Sequence, residues 1–179
     1  RVAVVDYREI DEKESFDKLV SVGMFEHVGE SKLPEYFQQA HRLLRPGGVF
    51  LNHGIACRAT EKAQRGPTFS DRYVFPDSEL LPINTTLRIA ENSGFEVRDL
   101  ESLREHYMLT LRHWVRRLEK RHREALQATD EATYRVWRLF MSGSAYGFKV
   151  GLHNVYQALL IKSGQCESGL PLTRDDWYA

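Results

Sequence analysis

The sequence predicts an α/β fold in which helices cover a parallel sheet. Residues 16–23 and 49–55 are apolar strand candidates, and residues 31–44 between them carry apolar side chains at helical spacing. A strand, a helix and a strand in this order form a crossover unit, which joins parallel strands. With 179 residues, the chain has the length of one domain.

The first predicted elements follow in order from the N-terminus. Residues 2–5 form an apolar stretch without a polar lead-in, so we expect a strand there and a further part of the domain ahead of Arg1. The helix at 31–44 places Leu33, Phe37 and Ala40 on one stripe. The Pro-Gly-Gly sequence at 46–48 should end this helix, because proline cannot continue it and glycine suits a left-handed cap.

Helices and strands also alternate in the second half of the chain. The predicted elements are a lid-like connection at 56–78, a helix at 82–91, a strand at 95–100, a long helix at 108–126, a further helix capped by Thr129 or Asp130, a last strand at 153–161 and a polar tail at 163–179. The connection holds two prolines and many charges, and loops of such length in compact domains are usually lids or binding segments.

Composition excludes several classes of protein. The 25 Lys and Arg residues balance 25 Asp and Glu residues, which excludes a generally basic nucleic-acid binder. The two cysteines, Cys57 and Cys166, are too few for a disulfide framework and indicate a reducing compartment. No apolar run approaches the roughly 18 residues of a membrane span, and no segment resembles a signal peptide. We therefore expect a cytoplasmic protein.

The histidines and serines do not form a known catalytic or metal-binding motif. His106, His113 and His122 do not have metal-ligand spacing, and neither an HExxH motif nor a Cys-His cluster occurs. We therefore predict no metal site. The sequence also has no GxSxG motif, and residues 142–144, Ser-Gly-Ser, fall inside a helical pattern.

Two polar residues follow predicted strands at the edge of the sheet where α/β proteins bind ligands. Glu26 lies just after the strand at 16–23, and His53 lies near the end of the strand at 49–55. The two side chains could therefore face one cavity. A helix-capping or solvated carboxylate remains the alternative for Glu26, and a hydrogen-bonded buried histidine remains the alternative for His53.

The long helix predicted at 108–126 is strongly basic. It carries six basic side chains against two acidic ones; the basic ones are Arg112, Arg116, Arg117, Lys120, Arg121 and Arg123. We expect Leu111, Trp114, Val115 and Leu118 to bury one face of this helix. The basic face is either simply solvated or contacts an anionic lipid surface.

Six sequence blocks resemble one protein family in the same order along the chain. They are SVGMFEHVG at 21–29 with YF at 36–37, LRPGG at 44–48, HGI at 53–55, YVFP at 73–76 with LP at 81–82, SGFEV at 93–97, and Tyr107 followed by Thr110, Leu111 and Trp114. This series closely resembles the cyclopropane-fatty-acyl-phospholipid synthase family, which includes the mycolic acid cyclopropane synthases. One block would be weak support, since Pro-Gly-Gly is common in methyltransferases, but six blocks in register are specific.

The resemblance implies the C-terminal part of a Rossmann-like, class I methyltransferase domain. This fold has a mostly parallel sheet with a reversed last strand, here 153–161, and a helical insertion at 108–149. The partial domain would span 1–162 and the tail 163–179. The glycine-rich turn that binds the cofactor in this family does not occur in the sequence, so we expect the chain by itself to bind cofactor poorly.

The resemblance also implies a reaction and its reagents. A methylene derived from S-adenosylmethionine is added across the cis double bond of a lipid acyl chain, and a bicarbonate ion removes a proton from the methylated cation. The motifs assign the catalytic roles to Glu26, His53 and Tyr107, and bicarbonate binding to these three and the backbone of Ile55. The implied cofactor-binding residues are Asp6, Tyr7, Ser21, Val22 and Gly23.

Partners and alternatives follow from the same resemblance. The expected partners are a phospholipid with unsaturated acyl chains, a transient membrane contact and a second copy in a possible homodimer. A small-molecule methyltransferase is one alternative, although it need not keep Glu26, His53 and Tyr107 together. A non-catalytic lipid-binding or assembly module is the other.

Two geometric expectations can be compared with a structure. Glu26, His53 and Tyr107 should converge on one cavity. The strand at 19–22 should have an unpartnered edge, because the methyltransferase strand order places it beside a strand that the sequence does not contain. A second copy, reuse of residues 1–5, or a further N-terminal part of the protein could cover that edge.

Overall fold

The computed structural model of the chain describes residues 2–11, 13, 15–60, 67–163 and 168–175. Cys166, Arg1, part of the lid-like connection and part of the tail lie outside these residues. The strands are β1 (Phe16–Val22), β2 (Leu44–Cys57), β3 (Phe95–Ser102) and β4 (His153–Lys162). The helices are α1 (Leu33–Leu43), α2 (Phe69–Tyr73), α3 (Ile83–Asn92), α4 (Arg104–Lys120), α5 (His122–Ala128) and α6 (Glu131–Val150), with short 3-10 turns at Tyr7–Glu9, Phe25–His27 and Glu30–Lys32.

The four strands form one mixed sheet in the order β1-β2-β4-β3. β1 pairs parallel to β2, whereas β4 lies antiparallel to both β2 and β3. Three strands therefore run in one direction and the last strand is reversed between two of them. This confirms the predicted α/β class with a reversed last strand.

α1 and α3 cover one face of the sheet. The buried residues of α1 recur at helical spacing, and Phe37 contacts Phe50 of β2 and Phe95 of β3 at ring-centroid distances of 6.3 Å each. Leu160 of β4 joins the same apolar cluster. Burying a large apolar side chain contributes roughly 1.5–3 kcal/mol, so this aromatic cluster is a main source of stability for the sheet.

α4 and α6 form a helical pair on the opposite face. Leu111, Ala145 and Phe148 contact Val155 of β4 in a second apolar cluster. Val155 and Leu160 differ by an odd number of residues along β4, so their side chains point to opposite faces of the sheet. The predicted insertion at 108–149 thus corresponds to three helices that begin at Arg104 and end at Val150.

One predicted strand is absent, and two of the predicted helices end differently from the expectation. Residues 2–5 form no strand, and Val2 and Val4 are fully exposed, because no described strand lies beside them to complete a ladder. α1 ends at Leu43 with Leu44 already extended, so the left-handed Gly47 lies within β2, where the pairing with β1 shifts register, and does not cap the helix. The helix predicted at 108–126 is divided at Arg121, whose backbone leaves the helical region.

Side-chain exposure also differs from one expectation. Leu111 is buried and Val115 and Leu118 are half-buried as predicted, but Trp114 is 41% exposed. Its ring contacts Tyr107 edge-on at 6.3 Å, so only part of the indole is covered. Asp130, one of the two predicted caps, does cap α6 by accepting a hydrogen bond from the Thr133 amide.

The outer edge of β1 is unpaired in the part of the chain that the structure describes. β1 pairs with β2 alone, and Val20 and Val22 are 66% and 65% exposed. The predicted open edge is therefore confirmed, and residues 2–6 do not cover it. The Tyr7–Glu9 turn is instead tied to α1, since the Gln39 amide donates to the Tyr7 and Ile10 carbonyls.

Candidate active site

The candidate site forms along the edge of β2 where β1 stops. Three successive backbone groups of β2 point to this edge. The His53 carbonyl accepts from the Gly23 amide at 2.9 Å, the Ile55 amide donates to Glu26 Oε1 at 2.6 Å, and the Cys57 amide donates to the Leu81 carbonyl at 3.2 Å. The Glu26 carboxylate therefore fills the gap between the end of β1 and the segment that contains Leu81.

Two glycines allow Glu26 to reach this position. Gly23 has a positive φ of 62°, which turns the chain away from β1 into the short 3-10 turn Phe25–His27. A Cβ at Gly54 would lie 2.1 Å from the Phe25 ring and 2.8 Å from Glu26 Oε1. Only glycine at position 54 lets the turn lie directly against β2.

The Glu26 carboxylate is buried with one oxygen unpaired. The residue is 5% exposed, and Oε2 has no hydrogen-bond partner among the described residues. Leaving a buried polar atom without a partner costs roughly 1–3 kcal/mol, and more for a charged group. Such an arrangement is typical of a binding or catalytic site rather than of the solvated carboxylate considered as the alternative.

Tyr107 lies near Glu26 on the α4 side of the sheet. Its ring contacts Phe148 edge-on at 5.1 Å, and it packs in the same apolar cluster as the Ile55 side chain. Burial raises the pKa of the Tyr107 phenol, and the nearby Glu26 carboxylate raises it further. The phenol therefore remains a hydrogen-bond donor at neutral pH.

His53 lies two residues before Ile55 and on the same face of β2. Its Nδ1 lies 3.2 Å from Gln157 Nε2 on the paired strand β4. With the Gln157 amide donating to Nδ1, the neutral imidazole carries its proton on Nε2, which is then a donor. The structure thus puts His53, Ile55 and Tyr107 on one face of the sheet and brings Glu26 to Ile55.

The backbone of Ile55 has a different partner from the one expected. Its amide donates to Glu26 and is therefore engaged, whereas the family resemblance implies that the Ile55 backbone binds bicarbonate. The donors that remain for an anion are the Tyr107 hydroxyl and His53 Nε2, and Glu26 Oε2 could accept from the hydroxyl of a bicarbonate ion. The observation that suits such an ion is the buried, unpaired Glu26 Oε2.

The expected cofactor residues lie in two places, beside α1 and at the end of β1. Asp6 caps the Tyr7–Glu9 turn and pairs with Arg8 through both oxygens, and these hydrogen bonds lower the pKa of its carboxyl to about 2. Tyr7 contacts the Tyr36 ring edge-on at 5.7 Å. The space above Gly23 is open.

Ser21 and Val22 precede Gly23 at the end of β1. Ser21 Oγ is buried beside the Tyr36 phenol, and Val22 is exposed on the open edge of β1. A buried hydroxyl beside an open glycine suits the polar end of a bound cofactor. Of the five expected residues, Ser21 and Gly23 show features that suit S-adenosylmethionine, which would supply an electrophilic methyl group.

Two residues that support the site have no local sequence signal. Gln157 orients His53 from a strand more than a hundred residues away, and Glu79 contacts the Glu26 turn.

A cleft of about 260 Å³ opens elsewhere, between Arg58, Asn84 and Tyr156, and does not include Glu26. In the described part of the chain, no group of three His, Cys, Asp or Glu side chains could hold a metal ion.

This architecture matches solved S-adenosylmethionine-dependent methyltransferases. The cyclopropane synthase MmaA2 from Mycobacterium tuberculosis superposes with a TM-score of 0.83 at 28% identity, covering 90% of this chain and 60% of that one. The mycolic acid cyclopropane synthase CmaA1, solved with SAH and CTAB, gives a TM-score of 0.79 at 30% identity, covering 87% and 58%. The chain therefore has the α/β fold of this class of methyltransferase.

The family assignment rests on the sequence as well. The profile described as "Mycolic acid cyclopropane synthetase" matches residues 1–158. The chain belongs to that family. A Pseudomonas putida protein named "Probable fatty acid methyltransferase" is 41% identical over 179 residues, which cover 98% of this chain and 45% of that protein. "Cyclopropane mycolic acid synthase 1" of Mycobacterium tuberculosis is 31% identical over 168 residues, covering 88% and 58%. The chain thus spans about half the length of these relatives.

Proposed function

We propose that the full-length protein, meaning this chain with any sequence that accompanies it in its gene, transfers a methyl-derived carbon from S-adenosylmethionine to an unsaturated lipid acyl chain. The observation that carries this proposal is the buried Glu26 carboxylate, fixed on the Ile55 amide with its second oxygen unpaired. Family membership and the solved relative with SAH support the cofactor.

The proposed product is a cyclopropane ring. An alkene is a weak nucleophile, so a sulfonium methyl donor supplies the driving force. Once the alkene has formed a bond to the methyl carbon, the acyl chain carries a cation, and loss of one proton from that carbon lets a second carbon–carbon bond close the ring. The site residues must hold a base at that carbon and exclude water.

The described residues can perform this task in distinct roles. Tyr107 and His53 Nε2 would donate hydrogen bonds to a bicarbonate base, and Glu26 Oε2 would accept from it. Each of these contacts fixes the ion rather than the acyl chain. Removing one should therefore lower turnover more than lipid affinity.

Methyl branching is a second candidate, supported by the Pseudomonas putida relative at 41% identity. It would use the same cation but lose a proton from a neighbouring chain carbon, which gives a methyl-branched alkene. The two outcomes differ in which proton leaves, so the analysis of the lipid product separates them.

The substrate and its delivery belong to the same proposal. We infer a phospholipid with unsaturated acyl chains, reached by transient contact of a cytoplasmic protein with a membrane. Arg116, Lys120 and Arg123 are exposed on α4 and α5, beside the partly exposed Trp114. Basic and aromatic side chains in one region suit an anionic lipid surface. No described helix is long and apolar enough to cross a bilayer. We also propose a homodimer, in which a second copy covers the open edge of β1.

To test this, full-length protein is incubated with methyl-labelled S-adenosylmethionine and vesicles of unsaturated phospholipid. The acyl chains are then analysed by mass spectrometry. We expect a gain of one CH2 per modified chain and loss of the double bond. Glu26→Gln keeps an oxygen for the Ile55 amide but turns the second acceptor into a donor, so the turnover number should fall about 100-fold or more. Asp77→Asn, which changes an exposed carboxylate between α2 and α3, is the control. Wild-type turnover in Glu26→Gln would remove Glu26 from the reaction.

A further inference from the structure

Glu79 holds the turn that carries Glu26 at two points. Its amide donates to the Glu26 carbonyl at 2.8 Å, and its Oε2 accepts from the Glu30 amide at 2.9 Å. One residue, distant in sequence, thus contacts both ends of the short stretch from Glu26 to Glu30. The backbone contact fixes the position of Glu26, and the side-chain contact fixes Glu30 at the other end of the stretch.

Gly29 makes this contact sterically possible. A Cβ at Gly29 would lie 3.0 Å from Glu79 Oε2, and its φ of 79° is one that side chains with a Cβ rarely adopt. The glycine therefore lets the Glu79 carboxylate approach the Glu30 amide at the start of the 3-10 turn Glu30–Lys32. Lys32 and Leu33 in turn donate to the Gly29 carbonyl, which continues the turn into α1.

The segment that contains Glu79 is itself fixed to the sheet and to α6. The Leu81 carbonyl accepts from the Cys57 amide at the end of β2, and Leu81 is buried in the core under α1 and α3. Earlier in the segment, Phe75 contacts His27 and Phe140 edge-on, each at 5.5 Å. Glu79 is therefore attached to a rigid support and can transmit that rigidity to the Glu26 turn.

We propose that Glu79 is a positioning residue for Glu26, acting through the Glu30 amide; this rests on the proposed function. The Glu26 carboxylate must stay between β1 and the Leu81 segment for Oε1 to accept from the Ile55 amide and for Oε2 to remain buried as an acceptor for a ligand. A turn freed at Glu30 lets that carboxylate leave the gap. Glu79 itself is exposed and does not contact the reacting atoms.

The test compares Glu79→Ala and Glu79→Gln in the full-length protein, with Asp77→Ala as the matched control. Asp77 is an exposed carboxylate of the same segment. Glu79→Ala should lower kcat about fivefold to tenfold with KM for lipid unchanged, whereas Glu79→Gln, which keeps an acceptor oxygen, should restore most of kcat. Gly29→Ala should lower kcat as well, and combining it with Glu79→Ala should add little, because both act on one contact.

Hydrogen exchange of the Glu30 amide gives a readout that does not depend on activity. The amide should exchange about tenfold faster in Glu79→Ala than in wild type, and at the wild-type rate in Glu79→Gln and Asp77→Ala. Equal exchange in wild type and Glu79→Ala overturns the proposal. So does faster exchange with an unchanged kcat. An inactive wild-type enzyme instead refutes the proposed function, and the exchange rates still decide whether the contact exists.

Discussion

Gly54→Ala adds only one methyl group, but this group should displace the turn that carries Phe25 and Glu26. The new Cβ would lie 2.1 Å from the Phe25 ring and 2.8 Å from Glu26 Oε1, whereas carbon atoms pack best at about 3.5–4.0 Å. The turn must move away from β2. Overpacking of this kind costs about 1–3 kcal/mol, and weakening the charged hydrogen bond from Ile55 costs about 1.5–3 kcal/mol. Together these costs should lower the free energy of unfolding by about 2.5–6 kcal/mol.

The matched control for this substitution is Gly143→Ala. Gly143 lies within α6, and a Cβ there meets nothing within 4 Å. Alanine is favoured over glycine inside a helix by about 1 kcal/mol, so this variant should be as stable as wild type or more so. The measurement is denaturant unfolding of both full-length variants, with turnover measured beside it. An unfolding midpoint for Gly54→Ala equal to that of wild type would refute the account of how Glu26 is seated.

Four further outcomes can be measured. Tyr107→Phe keeps the ring contact with Phe148 and should lower kcat about tenfold through loss of one hydrogen bond to a charged group; an unchanged kcat excludes the phenol from the reaction. Binding to anionic vesicles should weaken with salt and with Arg116→Glu but not with Arg88→Glu, an exposed site on α3; equal effects of the two variants would indicate a merely solvated basic face. NMR titration should give Asp6 a pKa of about 2, returning toward 3.8 in Arg8→Ala, so that acid releases the Asp6 contact only as pH falls through the lower value. The isolated chain should self-associate through β1, and Val20→Lys should reduce this in light scattering; a monomer at all concentrations contradicts it.

The sheet and its main helices could be predicted because their signals are local. The apolar stripe of Leu33, Phe37 and Ala40 is visible within eleven residues of sequence. These side chains are indeed buried, between α1 and the sheet. The apolar residues 2–5 carry the same kind of signal and form no strand. The difference is not local, since a strand needs a neighbouring ladder and no described strand provides one there.

The candidate site was predictable only in part for the same reason. Glu26 and His53 follow from the rule that ligands bind where parallel strands end, and Tyr107 followed from family resemblance. Glu79 and Gln157 act across separations that no spacing rule covers. In the sequence, Gly54 is an ordinary residue of a predicted strand. Only the structure shows that the Phe25 ring packs against it.

The edge of β2 explains why the chemistry gathers at Glu26. Along a continuing β1, the Ile55 amide would meet a backbone carbonyl and no carboxylate would be needed there. Because β1 turns away at Gly23 and the Leu81 segment joins β2 only at Cys57, one amide between them is left for a side chain. A carboxylate in that gap is anchored by one oxygen and free at the other. A hydroxyl or a neutral amide could occupy the gap, but neither would leave a second carboxylate oxygen as an acceptor for a ligand.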